Sequence, residues 1–137
     1  MRNEIVIEAP GRRIYDLASA TEHWPQMLPH YRFVRVLSEA GHTRVVEMAA
    51  RRGMIPVRWR AEQVNDPEIP QITFRHVRGW TRGMLVWWRF DPHPRGTRVT
   101  IEHELRSPLA PVIGRWFIDP IATRTLRCVK ALAEAQP

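Results

Sequence analysis

Between Tyr31 and Arg106 apolar and polar residues alternate with a period of two, run after run, and the runs sort onto the same two faces. Successive side chains of a β-strand point to opposite faces, so this alternation commits more than half of the chain to half-buried strands. We read strands at 31–38, 43–51, 54–65, 70–77, 83–91 and 97–106. Turn signals separate them: Ala40-Gly41-His42, Arg52-Gly53, Asn65-Asp66-Pro67, Arg78-Gly79 and the stretch from Pro92 to Gly96. Connections this short make an antiparallel meander, whose sheet can be wet on one side. Val57, Trp59, Ala61 and Gln63 share a face with Ile72, Phe74 and His76, with Met84, Val86, Trp88 and Phe90, and with Val99, Ile101, His103 and Leu105. The opposite face carries Arg58, Arg60, Glu62, Arg75, Arg89, Glu102 and Glu104. The apolar face needs a cover, because left bare it would be a large sticky patch.

The flanking segments supply that cover. A first strand is read from Glu4 to Glu8. Pro10 suits the first turn of a helix, where its missing N–H costs nothing, and Ile14, Leu17 and Ala18 continue at helical spacing to about Ala20. Thr21 is placed to cap a second short helix carrying Trp24, Met27 and Leu28, which Pro29 ends. After Ser107 and Pro108 a helix is read from about Leu109 to Glu134. Ile113, Trp116, Phe117, Ile121, Leu126, Val129 and Leu132 form its apolar side. Pro120 falls inside it, so a kink or break is expected there, with Asp119 available to cap the second piece. The expected fold is α+β: a twisted antiparallel sheet of about seven strands wrapped around one long C-terminal helix, with two short helices after the first strand. At 137 residues the chain fits a single domain, 1–137, that can bury a core without cross-links.

Cys128 is the lone cysteine, which leaves no internal disulfide. No segment has the length of a membrane span or the apolar core of a signal peptide, so membrane insertion is not expected and the location read is cytoplasmic. The net charge of +7 raises the question of nucleic acid. The 20 arginines are scattered from Arg2 to Arg127 in nothing longer than pairs, the pattern of a solvated surface, and no nucleic-acid partner is expected.

The order strand, two short helices, six-strand meander and long last helix, taken with local motifs, resembles the polyketide cyclase/dehydrase members of the START-like superfamily, whose fold is the helix grip. Ile5 to Glu8 followed by Ala9-Pro10 and Ile14-Tyr15-Asp16-Leu17 is similar to their opening. Trp24-Pro25-Gln26-Met27-Leu28-Pro29-His30-Tyr31 is similar to their Trp-Pro segment. Val57-Arg58-Trp59 before Asn65-Asp66-Pro67, and Gly96-Thr97-Arg98-Val99, match their fourth and last strands. The resemblance implies an interior cavity between sheet and helix in which a poly-β-ketone chain folds, closes by aldol chemistry and loses water. It places Trp24, Leu28 and Tyr31 at the mouth and wall, Trp59 and Trp88 in the middle, and Thr125 as the polar position on the last helix. Where those cyclases carry a cavity arginine near the end of the fourth strand, this chain has Gln63, a hydrogen-bond donor without the charge that makes such contacts about twice as strong. If that position faces the cavity, Gln63→Arg should improve polyketide binding.

Beyond the resemblance, His76 and His103 on the apolar face are either a pair for general acid–base work near neutral pH or core histidines bonded to a neighbour. Two histidines without a carboxylate or cysteine beside them do not make a metal site, and no cofactor is expected. Tyr31 either donates to a ligand oxygen or leaves its hydroxyl in water. Trp24, Trp59, Trp88 and Trp116 either form a flat slot for an aromatic ligand or fill the interior. Four such side chains imply a small cavity of a few hundred Å3, at the low end of ligand sites. Trp80 and Trp87 look outward, toward a lid or a homodimer surface, and His30 and Arg32 read as solvated. The expected partner is a small hydrophobic or aromatic molecule, bound for cyclisation and dehydration or carried without reaction as a lipid, quinone or isoprenoid.

Overall fold

The computed structural model describes residues 1–135. In chain order the elements are β1 (Arg2–Ile7), α1 (Gly11–Ser19), a 3-10 turn (Thr21–His23), α2 (Trp24–Met27), β2 (Tyr31–Ala40), β3 (Thr43–Arg52), β4 (Ile55–Asp66), β5 (Gln71–Arg78), β6 (Leu85–His93), β7 (Gly96–Glu104), α3 (Ala110–Ile113), a π turn (Gly114–Ile118) and α4 (Asp119–Ala135). The strands form one antiparallel sheet in the order β1-β7-β6-β5-β4-β3-β2. β1 therefore sits at one edge and β2 at the other, and α1 and α2 carry the chain between them. Bulges in β2, after Tyr31 and Val36, and in β5, at Val77 opposite Arg60 and Ala61, bend the sheet around the C-terminal helix. The helix grip expected from the sequence is the fold observed.

The two faces separate as the alternation requires. Val46, Met48, Ala61, Ile72, Val99 and Val129 are fully or almost fully buried between sheet and helix. On the outer face Arg60 meets Glu47 at 3.0 Å, Arg89 meets Glu102 at 2.7 Å and Arg75 meets Glu62 at 3.3 Å. The Arg89–Glu102 and Arg75–Glu62 pairs are solvated and add little stability, while Glu47 is largely buried and is shared by Arg60 and Arg35. The Gly-Thr opening of β7 has a steric origin. Gly96 sits at φ +139°, and a Cβ there would lie 2.3 Å from the Ile7 carbonyl oxygen. Thr97 then donates to the Ala9 carbonyl at 2.9 Å, tying the β1–α1 corner to β7.

Three local expectations are corrected. Thr21 does not cap α2; its hydroxyl donates to Gln63 Oε1 at 2.7 Å instead. Asp119 does not cap a second helix; it accepts from Asn3 Nδ2 at 2.7 Å, across to β1. Nor does the helix break at Pro120. The irregularity expected near Pro120 comes before it, as the π turn over Gly114–Ile118, and the α-helix resumes at Asp119. Pro120 has no N–H to offer the Trp116 carbonyl four residues back. Arg52, at the end of β3, donates to that carbonyl from Nε at 2.8 Å and lies against the Trp116 ring. Arg52→Ala is expected to cost about 0.5–1.5 kcal/mol, the net worth of a hydrogen bond at a site water can reach, read as a lowered urea midpoint with unchanged slope.

Candidate functional site

Between the sheet and the helix lies a cavity of about 290 Å3. Its floor is aromatic because every second residue of β5 and β6 points inward. Trp24, brought in by α2, sits 5.0 Å from the Tyr31 ring, 5.8 Å from Trp88 and 6.1 Å from Phe74, and its indole N–H is satisfied by the Ala18 carbonyl at 3.1 Å. Met48, Val86 and Ile101 add sheet side chains, and Ile118, Ile121 and Ala122 close it from the helix. The mouth lies between Pro56 and Val57 of β4, Trp80 and Thr81 of the β5–β6 turn, and Ile113 and Phe117 of the helix. Trp80 stands edge-on to Phe117 at 5.2 Å, joining turn to helix.

The polar groups fall at two poles. At one, the Thr125 hydroxyl donates to the Ile121 carbonyl at 2.8 Å, one helical turn back. That proton being committed, the contact of His30 Nε2 with Thr125 Oγ1 at 2.8 Å makes His30 the donor. His30 Nδ1 is then left as a lone pair, buried without a partner. Burial pushes the imidazole down to about 4, and the Arg124 guanidinium adds to the effect. Tyr31 stands beside this pair, its phenol pushed up by burial and partly relieved by Thr125. At the other pole His76 stacks on Trp59 at 5.6 Å with the planes 4° apart, and its Nδ1 is engaged by Thr81 Oγ1 at 2.6 Å. Burial holds His76 down to about 3, with His103 adding repulsion, and His103 down to about 4, with the Met1 ammonium adding. His103 Nδ1 is buried and unpartnered. The cavity is thus apolar with hydroxyl and neutral imidazole groups at two ends. Among the described residues no group of His, Cys, Asp and Glu could hold a metal ion.

Residues 7–131 match the family described as polyketide cyclase / dehydrase and lipid transport. The chain belongs to this family. It is 29% identical over 131 residues to the actinorhodin polyketide synthase bifunctional cyclase/dehydratase of Streptomyces coelicolor, covering 93% of this chain and 42% of that protein. It is 30% identical over 124 residues to a putative polyketide cyclase of Streptomyces cyaneus, covering 87% of this chain and 81% of that one. The chain therefore spans under half of the first relative and about four-fifths of the second. The fold is shared with the Zhui aromatase/cyclase from Streptomyces sp. R1128, at TM-score 0.84 and 15% identity over 98% of this chain and 92% of that one. No helix among the described residues is long and apolar enough to cross a membrane.

As a member of the polyketide cyclase/dehydrase and lipid transport family, the chain places its expected site residues unevenly. Trp24, Tyr31, Trp59, Trp88, His76, His103 and Thr125 all line the cavity. Leu28 is fully buried in the core and does not line it. Trp116 turns out to solvent, 54% exposed, and Trp80 from the β5–β6 turn takes the wall position instead. Gln63 lies away from the cavity. Fully buried, it accepts from Thr21 and donates to the Ser19 carbonyl at 2.9 Å and to Asn65 Oδ1 at 2.8 Å. The position where the sequence resemblance would put an arginine is, in this chain, a hub that locks the α1–α2 corner to β4. His30, read as solvated, is 3% exposed and holds Thr125. Period-two reasoning fails there because His30 belongs to the turn before β2 and not to the strand. Its signal in the sequence is only its place next to Tyr31 and after Pro29.

Proposed function

We propose that the cavity takes up a small aromatic or polyketide-like molecule, desolvates it, and holds it folded between the two polar poles so that cyclisation and dehydration can follow. The observation that carries this reading is the pairing of a narrow aromatic slot with hydrogen-bonding groups at both ends, all of them neutral. Trp24, Trp59 and Trp88 offer flat apolar surface, while Tyr31 donates to a carbonyl oxygen of the ligand. His76 and His103 stay uncharged above about pH 5, so each can take a proton from an activated methylene. As negative charge grows on the enolate, it raises the basicity of the imidazole beside it. The enolate carbon attacks a second carbonyl of the ligand, forming the ring bond, and the resulting alkoxide takes the proton back from the imidazolium. The imidazole then removes the second proton of the same carbon and delivers it to the new hydroxyl, which leaves as water. Orientation in a dry pocket supplies the rest.

Native mass spectrometry of protein from its own host is expected to show a bound aromatic or polyketide mass. In reaction with a poly-β-ketone, His103→Ala should keep binding and lose at least 100-fold in turnover, the ordinary worth of a general base. An interior that binds no apolar probe would overturn the reading. A second reading, a carrier that releases its ligand unchanged, is favoured by the commitment of Gln63 to the α1–α2 corner, which leaves no charged donor at that position. Recovery of an unaltered ligand, with His103→Ala showing wild-type release, would select it.

A further inference from the structure

Three stretches meet at the mouth of the cavity: 51–58 at the β3–β4 hairpin, 78–83 at the β5–β6 turn, and 105–118 leading into the helix. They contain seven of the 21 basic residues and none of the 14 acidic ones. They therefore hold the entire formal charge of +7, and the rest of the chain balances to zero. Arg51, Arg78, Arg82 and Arg115 are exposed, with no ion-pair partner among the described residues.

The same stretches hold six large apolar residues turned to solvent. Met54 is 96% exposed, Trp80 67%, Leu109 62%, Val112 56%, Trp116 54% and Ile55 49%. Leu109 stands at the N-cap of α3, Val112 within α3 and Trp116 in the π turn that follows, all three exposed. The contacts of Arg52 with Trp116 and of Trp80 with Phe117 join hairpin, turn and helix into one rim. Exposed apolar groups in this density mark an interaction surface.

The occupant has to be anionic and has to accept isolated apolar side chains. A second copy of this chain seated mouth to mouth would bring the two +7 rims together. A folded acidic protein would need a separate pocket for each protruding side chain on three segments, whereas a lipid interface yields around them. Tryptophan favours the level of lipid headgroups, and arginine pairs with their phosphates. We propose that the mouth docks on an anionic lipid surface, with Met54, Trp80 and Trp116 in the interfacial layer and the unpaired arginines against phosphate groups, so that the cavity opens toward the bilayer. The docking is peripheral and stands whatever molecule the cavity holds.

Vesicle flotation of the whole chain tests it, using phosphatidylcholine alone and phosphatidylcholine with one third phosphatidylglycerol, at low and high salt. Binding is expected only with phosphatidylglycerol, and it should weaken as salt is raised. The pair Arg78→Glu and Arg82→Glu should weaken it about tenfold or more, and Met54→Asp several-fold. A control pair with the same change of charge on exposed residues elsewhere, Arg98→Glu and Arg127→Glu, should stay within about threefold of the wild type. Thermal melts identify any variant that has not folded, and the exposed Met54 site keeps the test readable if the arginine pair fails. Equal loss in the control pair would reduce the effect to the attraction of any basic protein and overturn the proposal. So would unchanged binding by Met54→Asp, or binding to polyglutamate with none to vesicles, which would mark a protein site.

Discussion

Acidification from pH 6.5 to 4 is expected to destabilise the protein steeply. His30, His76 and His103 are held down to about 4, 3 and 4 in the folded chain, chiefly by burial. In the unfolded chain an imidazole titrates near 6.5. Above that value neither state binds a proton and the full stability is present. Between about 6.5 and 4 the unfolded state binds protons that the folded state refuses, so stability falls with pH. Each group contributes at most about 1.4 kcal/mol per pH unit, and three acting together at most about 4. Against a typical domain stability of about 5–15 kcal/mol, two pH units remove up to about 8 and carry a domain at the lower end of that range through its transition. Glu47, Glu102 and Glu134, whose carboxyls are held low mainly by hydrogen bonds from Arg60, Arg89 and Lys130, act in a separate window below their ordinary range. Urea midpoints at pH 7, 6, 5 and 4 should trace the loss, and His30→Gln should flatten the slope by about a third. A midpoint constant down to pH 4.5 would show that the imidazoles are solvated.

The second large effect is expected at Gln63. Leucine there keeps the volume and removes three hydrogen bonds, leaving the buried Thr21 hydroxyl without its acceptor while the Ser19 carbonyl keeps its contact from Arg44. At about 1–3 kcal/mol for the stranded hydroxyl and about 0.5–1 for each of the other two lost bonds, the expected cost is about 2–5 kcal/mol. Affinity for a cavity ligand in the fraction that folds should be unchanged, because the side chain lies outside the cavity. Gln63→Arg, which the family resemblance would make a gain of binding, is now expected to destabilise. Its guanidinium would be buried beside Arg44, which already reaches the Ser19 carbonyl at 3.4 Å. A stable Gln63→Arg protein with tighter polyketide binding would place that position in the cavity after all.

The sheet was legible because period two is a strict rule within a strand. It named Trp59, His76, Trp88 and His103 as neighbours across strands far apart in the chain. It faltered where the chain leaves the strand. His30 and Trp80 sit in turns, and turn residues face wherever the local path sends them. Gln63 obeyed the alternation and still missed the cavity. A face of the sheet is larger than the cavity on it, and the α1–α2 corner covers the end of β4. Trp116 was misplaced because helical spacing assumes 3.6 residues per turn throughout, which the π turn violates. The arginines look scattered in sequence. Their imbalance appears only when hairpin, turn and helix are brought to one end.

That π turn has a consequence for how the entrance is tuned. It holds one residue more than the α turn it replaces, and one residue of α-helix is about 100° of rotation. Deleting a single residue within Gly114–Ile118 would swing everything before it around the axis. Ile113 would leave the wall, and a different member of the stretch from Leu109 onward would take its place. The width of the entrance is in this sense a matter of counting: a one-codon change can re-index the doorway while every side chain of the floor stays where it is.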